Sequence, residues 1–291
     1  MGEKMIKKVL IIGSKGMAGH MIKEYLTQKR YDVYGTFREK EEKNLEVNEF
    51  YLDAFDKEKL EEILKKVKPD FVINCIGILN QFAENNPDIA IYVNGYFPHY
   101  LDRLSEKYGY KLIHITTDCV FSGKKGNYTE DDFRDADSYY GRSKAIGEVN
   151  NNRTLTFRTS IIGPDINKDG IGLFNWFMKQ KGRIKGYSNV FWSGVTTLEL
   201  AKAIEASFSQ NLSGLIHLVN NEKISKYDLL KLFSKYMNKD IEIEKYEDYF
   251  SDKSLIRTKE DFNYKVPEYE KMIEELSEWI KNKNYSYEYY S

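Results

Sequence analysis

The apolar stretch Lys8–Ile12 (KVLII) runs straight into Gly13-Ser14-Lys15-Gly16-Met17-Ala18-Gly19, and Met17–Gln28 then reads as a helix. A short apolar run closed by glycine is what a strand covered on both faces requires. The chain therefore opens on a strand–glycine–helix unit, and alternation of that kind continues. Asp32–Phe37 (DVYGTF) and Phe50–Leu52 read as the second and third strands, and Lys57–Val67 as a helix with Leu60, Ile63, Leu64 and Val67 on one face. Pro69 stops that helix before a fourth strand, Phe71–Ile76 (FVINCI). Ile89–Tyr108 predicts a long helix that Pro98 must kink or begin, followed by a fifth strand at Lys111–Thr116, a helix at Ser138–Val149 and a sixth strand at Leu155–Thr159.

Such repetition predicts an α/β fold: a Rossmann-type, doubly wound parallel sheet with helices on both faces. After residue 160 the regularity fades, leaving isolated helices at Leu198–Phe208, Lys226–Met237 and Tyr269–Lys281. The expected division is a dinucleotide-binding domain over 1–160 and a smaller, mixed α/β, mainly substrate-binding domain over 161–291. Some later segments are free to return to the sheet, and the two parts should form a cleft.

In the opening turn one glycine makes the bend, one admits a pyrophosphate against the backbone, and one lets helix pack on strand. The helix N-terminus then offers free N–H groups to phosphate. Gly13, Lys15, Gly16, Met17 and Gly19 are thus cofactor-binding candidates. The second strand ends Gly35-Thr36-Phe37-Arg38, and the first acid follows only at Glu39. NAD sites place an acid here for the ribose 2′-hydroxyl, whereas NADP sites place arginine for the 2′-phosphate. Thr36 as donor, Arg38 as a bidentate partner and Lys15 as an added charge therefore predict NADPH over NADH. Asp53, after the third strand, is a candidate for the adenine edge.

Tyr140-Gly141-Arg142-Ser143-Lys144 places a phenol and an ammonium one helical turn apart on the same face. A phenol of ordinary pKa is a poor acid–base at neutral pH, and a neighbouring ammonium favours its phenolate. Upstream, the fifth strand ends Thr116-Thr117-Asp118-Cys119-Val120-Phe121, at the edge where doubly wound sheets bind ligands. Thr117 there can donate to a carbonyl oxygen as negative charge develops on it.

Together GSKGMAG, NCIG (74–77), VNGYFP (93–98), TTDCVF, YGRSK and RTS (158–160) resemble the extended short-chain dehydrogenase/reductases. The likeness is greatest to dTDP-4-dehydrorhamnose reductases and related nucleotide-sugar reductases. It implies Tyr140 as acid–base, Lys144 holding the nicotinamide ribose and lowering the Tyr140 pKa, and Thr117 orienting the carbonyl. It also implies Cys75, Ile76 and Gly77 along the cofactor, with Asp118, Val120 and Phe121 toward the sugar. Ile161 stands where these enzymes commonly carry Trp, and Phe191-Trp192-Ser193-Gly194 where they tend to have a proline-threonine step. Both differences fall in the sugar pocket, where Trp192 is a candidate contact. The substrate is left open between dTDP-4-dehydrorhamnose and a UDP-linked 4-keto-6-deoxy-N-acetylhexosamine. Basic residues in KQKGRIKG, Arg183 among them, and the pair Lys253 and Arg257 are candidates for the diphosphate.

Two other readings share these motifs. One is a nucleotide-sugar epimerase or dehydratase that retains NAD, against which Arg38 counts. The other is a non-catalytic regulatory subunit like that of methionine adenosyltransferase, against which intact Thr117, Tyr140 and Lys144 count.

The remaining sequence mostly excludes. With 44 basic and 45 acidic residues among 291, no broad basic face for nucleic acid is expected. The first apolar run is too brief for a signal peptide, and none approaches the ~18 residues of a membrane span. Two cysteines, Cys75 and Cys119, fit a reducing compartment, so a cytoplasmic protein is expected. Near the cofactor they raise the prospect of sensitivity to thiol reagents. His20, His99, His114 and His217 show no metal-ligand spacing, so no metal is expected, and Ser160 has no histidine to complete a triad. The 23 tyrosines read mainly as codon usage, with an aromatic partner surface as the other reading, and a homodimer is the one protein partner entertained.

Overall fold

A computed structural model describes residues 6–38, 47–283, 287 and 290. The first half runs β1 (Lys8–Ile12), α1 (Met17–Gln28), β2 (Asp32–Phe37), β3 (Glu49–Tyr51), α2 (Lys57–Val67), β4 (Phe71–Asn74), α3 (Asn80–Asn85) and α4 (Pro87–Ala90). A π-helical segment (Ile91–Tyr96) leads into α5 (Phe97–Tyr108), β5 (Lys111–Thr117), α6 (Tyr139–Ile146) and β6 (Leu155–Thr159). Then come β7 (Ile161–Ile162), α7 (Leu173–Lys179), β8 (Arg183–Tyr187), β9 (Val190–Trp192), β10 (Val195–Thr196) and α8 (Thr197–Ser207). The chain closes with β11 (Gly214–His217), β12 (Ile224–Ser225), α9 (Lys226–Tyr236), β13 (Glu242–Tyr246), β14 (Ser251–Asp252) and α10 (Tyr269–Asn282).

Seven parallel strands form the central sheet in the order β11-β6-β5-β4-β1-β2-β3. The chain moves outward from β1 through β3, then returns to the other side of β1 as β4. The direction of winding therefore reverses between β1 and β4, where such sheets open a ligand crevice at their carboxyl ends. Val9–Ile12 are fully buried because α1 and α8 cover one face, while α2 and α5 cover the other. Asp56 caps α2 by accepting from the Lys59 N–H, and Leu60, Ile63, Leu64 and Val67 form its buried stripe.

Residues after 160 divide between the sheet and smaller pairings. β11 extends the sheet beside β6, and α8 packs on α1. β7 pairs with β10, β8 with β13, and β9 lies between β12 and β14. One apolar core runs from α1 and β1 through α7, α8, α9 and α10.

Four elements differ from the sequence pattern. The fifth strand extends to Thr117 and the fourth stops at Asn74. Pro98, expected to kink the long helix or mark its start, stands in the first turn of α5, and the helix widens just before it, over Ile91–Tyr96. In π geometry a carbonyl bonds five residues onward, so the backbone passes the missing proline N–H. Helix α6 ends at Ile146, capped by Gly147, rather than running to Val149, and a Cβ on Gly147 would lie 1.8 Å from the Asn94 carbonyl oxygen. The two helices press together at that glycine.

Candidate active site

The glycine turn lies at the sheet's reversal point and has the shape that a pyrophosphate demands. Gly13 has φ of +87°, in the left-handed region that favours glycine. A Cβ on Gly19 would come within 2.0 Å of the Gly13 carbonyl oxygen, so glycine is what lets α1 close on the strand. Gly16 caps α1 without a side-chain hydrogen bond, and the first turn has no acid. Its leading N–H groups are thus turned to the crevice without competition, beside Met17. This loop fits a dinucleotide phosphate.

Thr36 requires a correction. Instead of facing a phosphate it is buried beneath the loop, where its hydroxyl accepts from Gly13 N–H at 3.3 Å and its carbonyl from Ser14 N–H at 2.8 Å. Arg38 is exposed at the end of β2, and Glu39 lies outside the described residues. The Lys15 ammonium stands 3.7 Å over the Phe37 ring and 3.9 Å from Glu49. Asp53 accepts from the Phe55 N–H and is partly exposed.

At the reaction end, Ser138 caps α6 by accepting from Gly141 N–H, and Glu84 of α3 accepts from Tyr140 N–H at 3.2 Å. A Cβ on Gly141 would sit 2.3 Å from the Cys119 carbonyl oxygen. Glycine there lets the helix start lie directly on the turn that follows β5, bringing Tyr140 to Thr117. Burial pushes the Tyr140 phenol well above its ordinary pKa, reinforced by Cys119 and Asp118, while the nearby Thr117 hydroxyl opposes the shift. Tyr139, one residue earlier, is 47% exposed.

Lys144 is buried and donates to the Ile115 carbonyl at 3.0 Å. Burial lowers its pKa from 10.5 to about 8, against the opposing pull of Glu148 and Cys75. Lys144 is not among the groups that shift Tyr140, so the expected lowering of the phenol is replaced by a rise caused by burial. Thr117 also differs from expectation. Its hydroxyl donates to Asp118 Oδ1 at 3.0 Å and accepts from Cys119 N–H, so its single proton is already engaged.

The loop after β4 borders the same space. A Cβ on Gly77 would lie 3.9 Å from the Lys144 ammonium and 3.3 Å from Asn94 Oδ1. Asn94, in the π-helical segment, accepts from Ile78 N–H and donates to the Ile78 carbonyl and to Ser143 Oγ. Cys75 and Ile76 lead into this loop and are partly buried. Burial raises the Cys75 thiol to about 12 and the Cys119 thiol to about 11, which disfavours the thiolate.

Among the candidate substrate contacts, Asp118 lies within the field of Lys253. Burial raises the Asp118 carboxyl, and the Lys253 charge acts against that rise. Val120 and Phe121 do not face a sugar: both are fully buried with Tyr128, Val219 and Leu255, because β5 ends by turning its apolar residues inward. Trp192 is likewise packed in the core, 5.6 Å from the Tyr269 ring. Arg183 is an exposed residue of β8 paired with Glu242 at 2.8 Å, and Arg257 donates to the Tyr264 carbonyl at 3.0 Å. Sequence reasoning missed Glu84, Glu49 and Glu148. Asn94 lay within VNGYFP, but nothing in that pattern foretold a side chain clasping the 78 loop.

The residues matched by the RmlD substrate binding domain model run from 7 to 250. A probable low-salt glycan biosynthesis reductase of Haloferax volcanii is 32% identical over 140 residues, covering 47% of this chain and 46% of that protein. The match thus spans less than half of that relative. Methionine adenosyltransferase 2 subunit beta of Rattus norvegicus is 24% identical over 238 residues, covering 77% of this chain and 70% of that protein. Among solved structures, dTDP-4-dehydrorhamnose reductase of Bacillus anthracis in complex with NADP superposes with a TM-score of 0.79 at 21% identity, covering 95% of this chain and 100% of that one. With its parallel sheet, glycine turn and Tyr140–Lys144 helix, the chain belongs to the RmlD substrate binding domain family and has the extended short-chain dehydrogenase/reductase fold.

Proposed function

We propose that the protein reduces the C4 ketone of a nucleotide-activated 4-keto-6-deoxy sugar with NADPH. The observation that carries this reading is the juxtaposition of the Tyr140 phenol with Thr117 at the carboxyl edge of the sheet, beside a turn shaped for a dinucleotide. NADPH bound against Gly13, Gly16 and Gly19 would supply the hydride for the carbonyl carbon. Tyr140 carries its proton at neutral pH, as a phenol does, and gives it to the carbonyl oxygen. Thr117 turns its hydroxyl from Asp118 to that oxygen and steadies the charge as it forms. Lys144, an ammonium below about pH 8, would hold the nicotinamide ribose. Residues 161–291 supply most of the substrate side, with Lys253 reaching the sugar nucleotide beside Asp118. Arg38 and Lys15 select the 2′-phosphate. The B. anthracis reductase solved with NADP supports this choice of cofactor.

The test is a panel of dTDP- and UDP-linked 4-keto-6-deoxy sugars, followed by loss of NADPH absorbance. Turnover of one or more supports the reading, and its absence across the panel counts against it. The match to the methionine adenosyltransferase beta subunit motivates a second reading, a regulatory partner. Co-purification with a synthetase and no turnover of any keto sugar would favour that one.

A further inference from the structure

Lys15 and Arg38 are the groups assigned to the cofactor's 2′-phosphate, yet a buried acid stands behind the first of them. Glu49 opens β3 opposite Gly35 of β2, so its side chain leaves the sheet on the Gly35 face, toward the glycine turn and α1. The carboxylate is only 6% exposed. One oxygen accepts from Lys23 of α1 at 2.6 Å, and the other lies 3.9 Å from the Lys15 ammonium. Lys15 at the same time covers the Phe37 ring at 3.7 Å, at the end of β2 where the adenosine ribose is expected. Buried and held by Lys23, Glu49 is poorly placed to meet a ribose hydroxyl as the acid of an NAD site would.

We infer that Glu49 is a specificity-determining positioning residue: it draws off part of the Lys15 charge and so limits the preference for a 2′-phosphorylated cofactor. This rests on the NADPH reading above and deepens it. A low-exposure carboxylate close to an ammonium weakens its pull on an incoming phosphate, because the burial that excludes water also reduces screening. Removing the negative charge while keeping the side-chain shape therefore strengthens that pull. Lys23 of α1 holds the carboxylate in place.

The experiment titrates the protein with adenosine 2′,5′-bisphosphate and with 5′-AMP by calorimetry, which needs no turnover and no sugar. Glu49→Gln is expected to raise affinity for the bisphosphate about three- to tenfold while leaving AMP within about twofold. In Lys15→Met/Glu49→Gln that gain disappears, because the effect acts through the Lys15 ammonium. A fall in affinity for both ligands would mark Glu49 as merely structural and overturn the inference. Persistence of the gain without Lys15 would do the same. A parent protein that binds the two ligands equally, yet gains a bisphosphate preference in Glu49→Gln, would uphold Glu49 and sink the NADPH assignment. The two failures are thus separable.

Discussion

At the Lys15–Phe37–Arg38 end of the sheet edge, Arg38 is exposed, Lys15 is partly so, and the buried acid, Glu49, is paired with lysines. At the Thr117–Tyr140–Lys144 end, some strands away, burial acts on Tyr140, Lys144 and Asp118. The phenol is raised, the ammonium is lowered to about 8, and the Asp118 carboxyl is raised. One crevice thus holds two electrostatic regimes. At the rim a charge contributes a modest, salt-screened increment to affinity. In the interior the question is whether a group carries charge at all, so small structural changes have large chemical consequences.

Substitutions on the two sides should therefore differ in size as well as kind. The largest effect is expected from Tyr140→Phe, which removes one hydroxyl from the enclosed end. Turnover should fall by roughly 10²–10⁴ with little change in NADPH affinity, while Tyr139→Phe stays close to the parent. Single-turnover kinetics would check both, and the reverse pattern would mean that the helix register is misread.

Gly141→Ala comes next. Its methyl would meet the Cys119 carbonyl oxygen at 2.3 Å, forcing the start of α6 away from Thr117. A shift of that kind should cost about 10- to 100-fold in kcat, with melting temperature tracked to separate displacement from unfolding.

At the rim, Arg38→Ala should reduce the NADPH-over-NADH preference by about tenfold at low salt and by less at high salt. A parent protein without that preference would remove the basis for the assignment.

Lys144 gives the comparison a pH axis. Its folded pKa, about 8, lies below the ordinary 10.5, so the ammonium prevails below pH 8 and is lost as pH rises through that value. NADPH affinity should therefore decline several-fold between roughly pH 7 and 9, and Lys144→Met should flatten the curve. The stability contribution has the opposite sign. A base with a depressed folded pKa destabilises the fold below about pH 8 and is relieved as pH climbs toward 10.5, so this group does not make unfolding the cause of the decline. The smallest effect is expected of Arg183→Ala, already paired with Glu242 on the surface, which should leave KM for a sugar nucleotide within about twofold.

The rim was largely readable in the sequence because its signals are local. Gly13 to Gly19 are contiguous, and the end of β2 follows within one helix, so periodicity and glycine spacing suffice. Tyr140 and Lys144 were readable for the same reason, being one turn apart. Their electrostatics were not. The direction of the Tyr140 shift depends on its burial, with Cys119 and Asp118 adding to it, and Glu84 reaches the start of α6 from 56 residues away. Trp192, Val120 and Phe121 failed as substrate candidates because an apolar residue near a cleft has two faces to choose from. Sequence spacing alone does not say that β9 and the turn after β5 direct theirs inward.

The wide turn over Ile91–Tyr96 is a matter of phase. An α-helix fixes the angle between any two of its residues, so one straight helix from Pro87 to Tyr108 would tie the rotation of Asn94 to that of Leu101 and Leu104. A single π segment inserts an offset between the two halves. The first half can then aim an amide at the 78 loop while the second keeps its apolar stripe on the sheet. Deleting one residue within 91–96 would restore a single phase and rotate one half by about 100° relative to the other. That change would force the helix to give up either the clasp or the core.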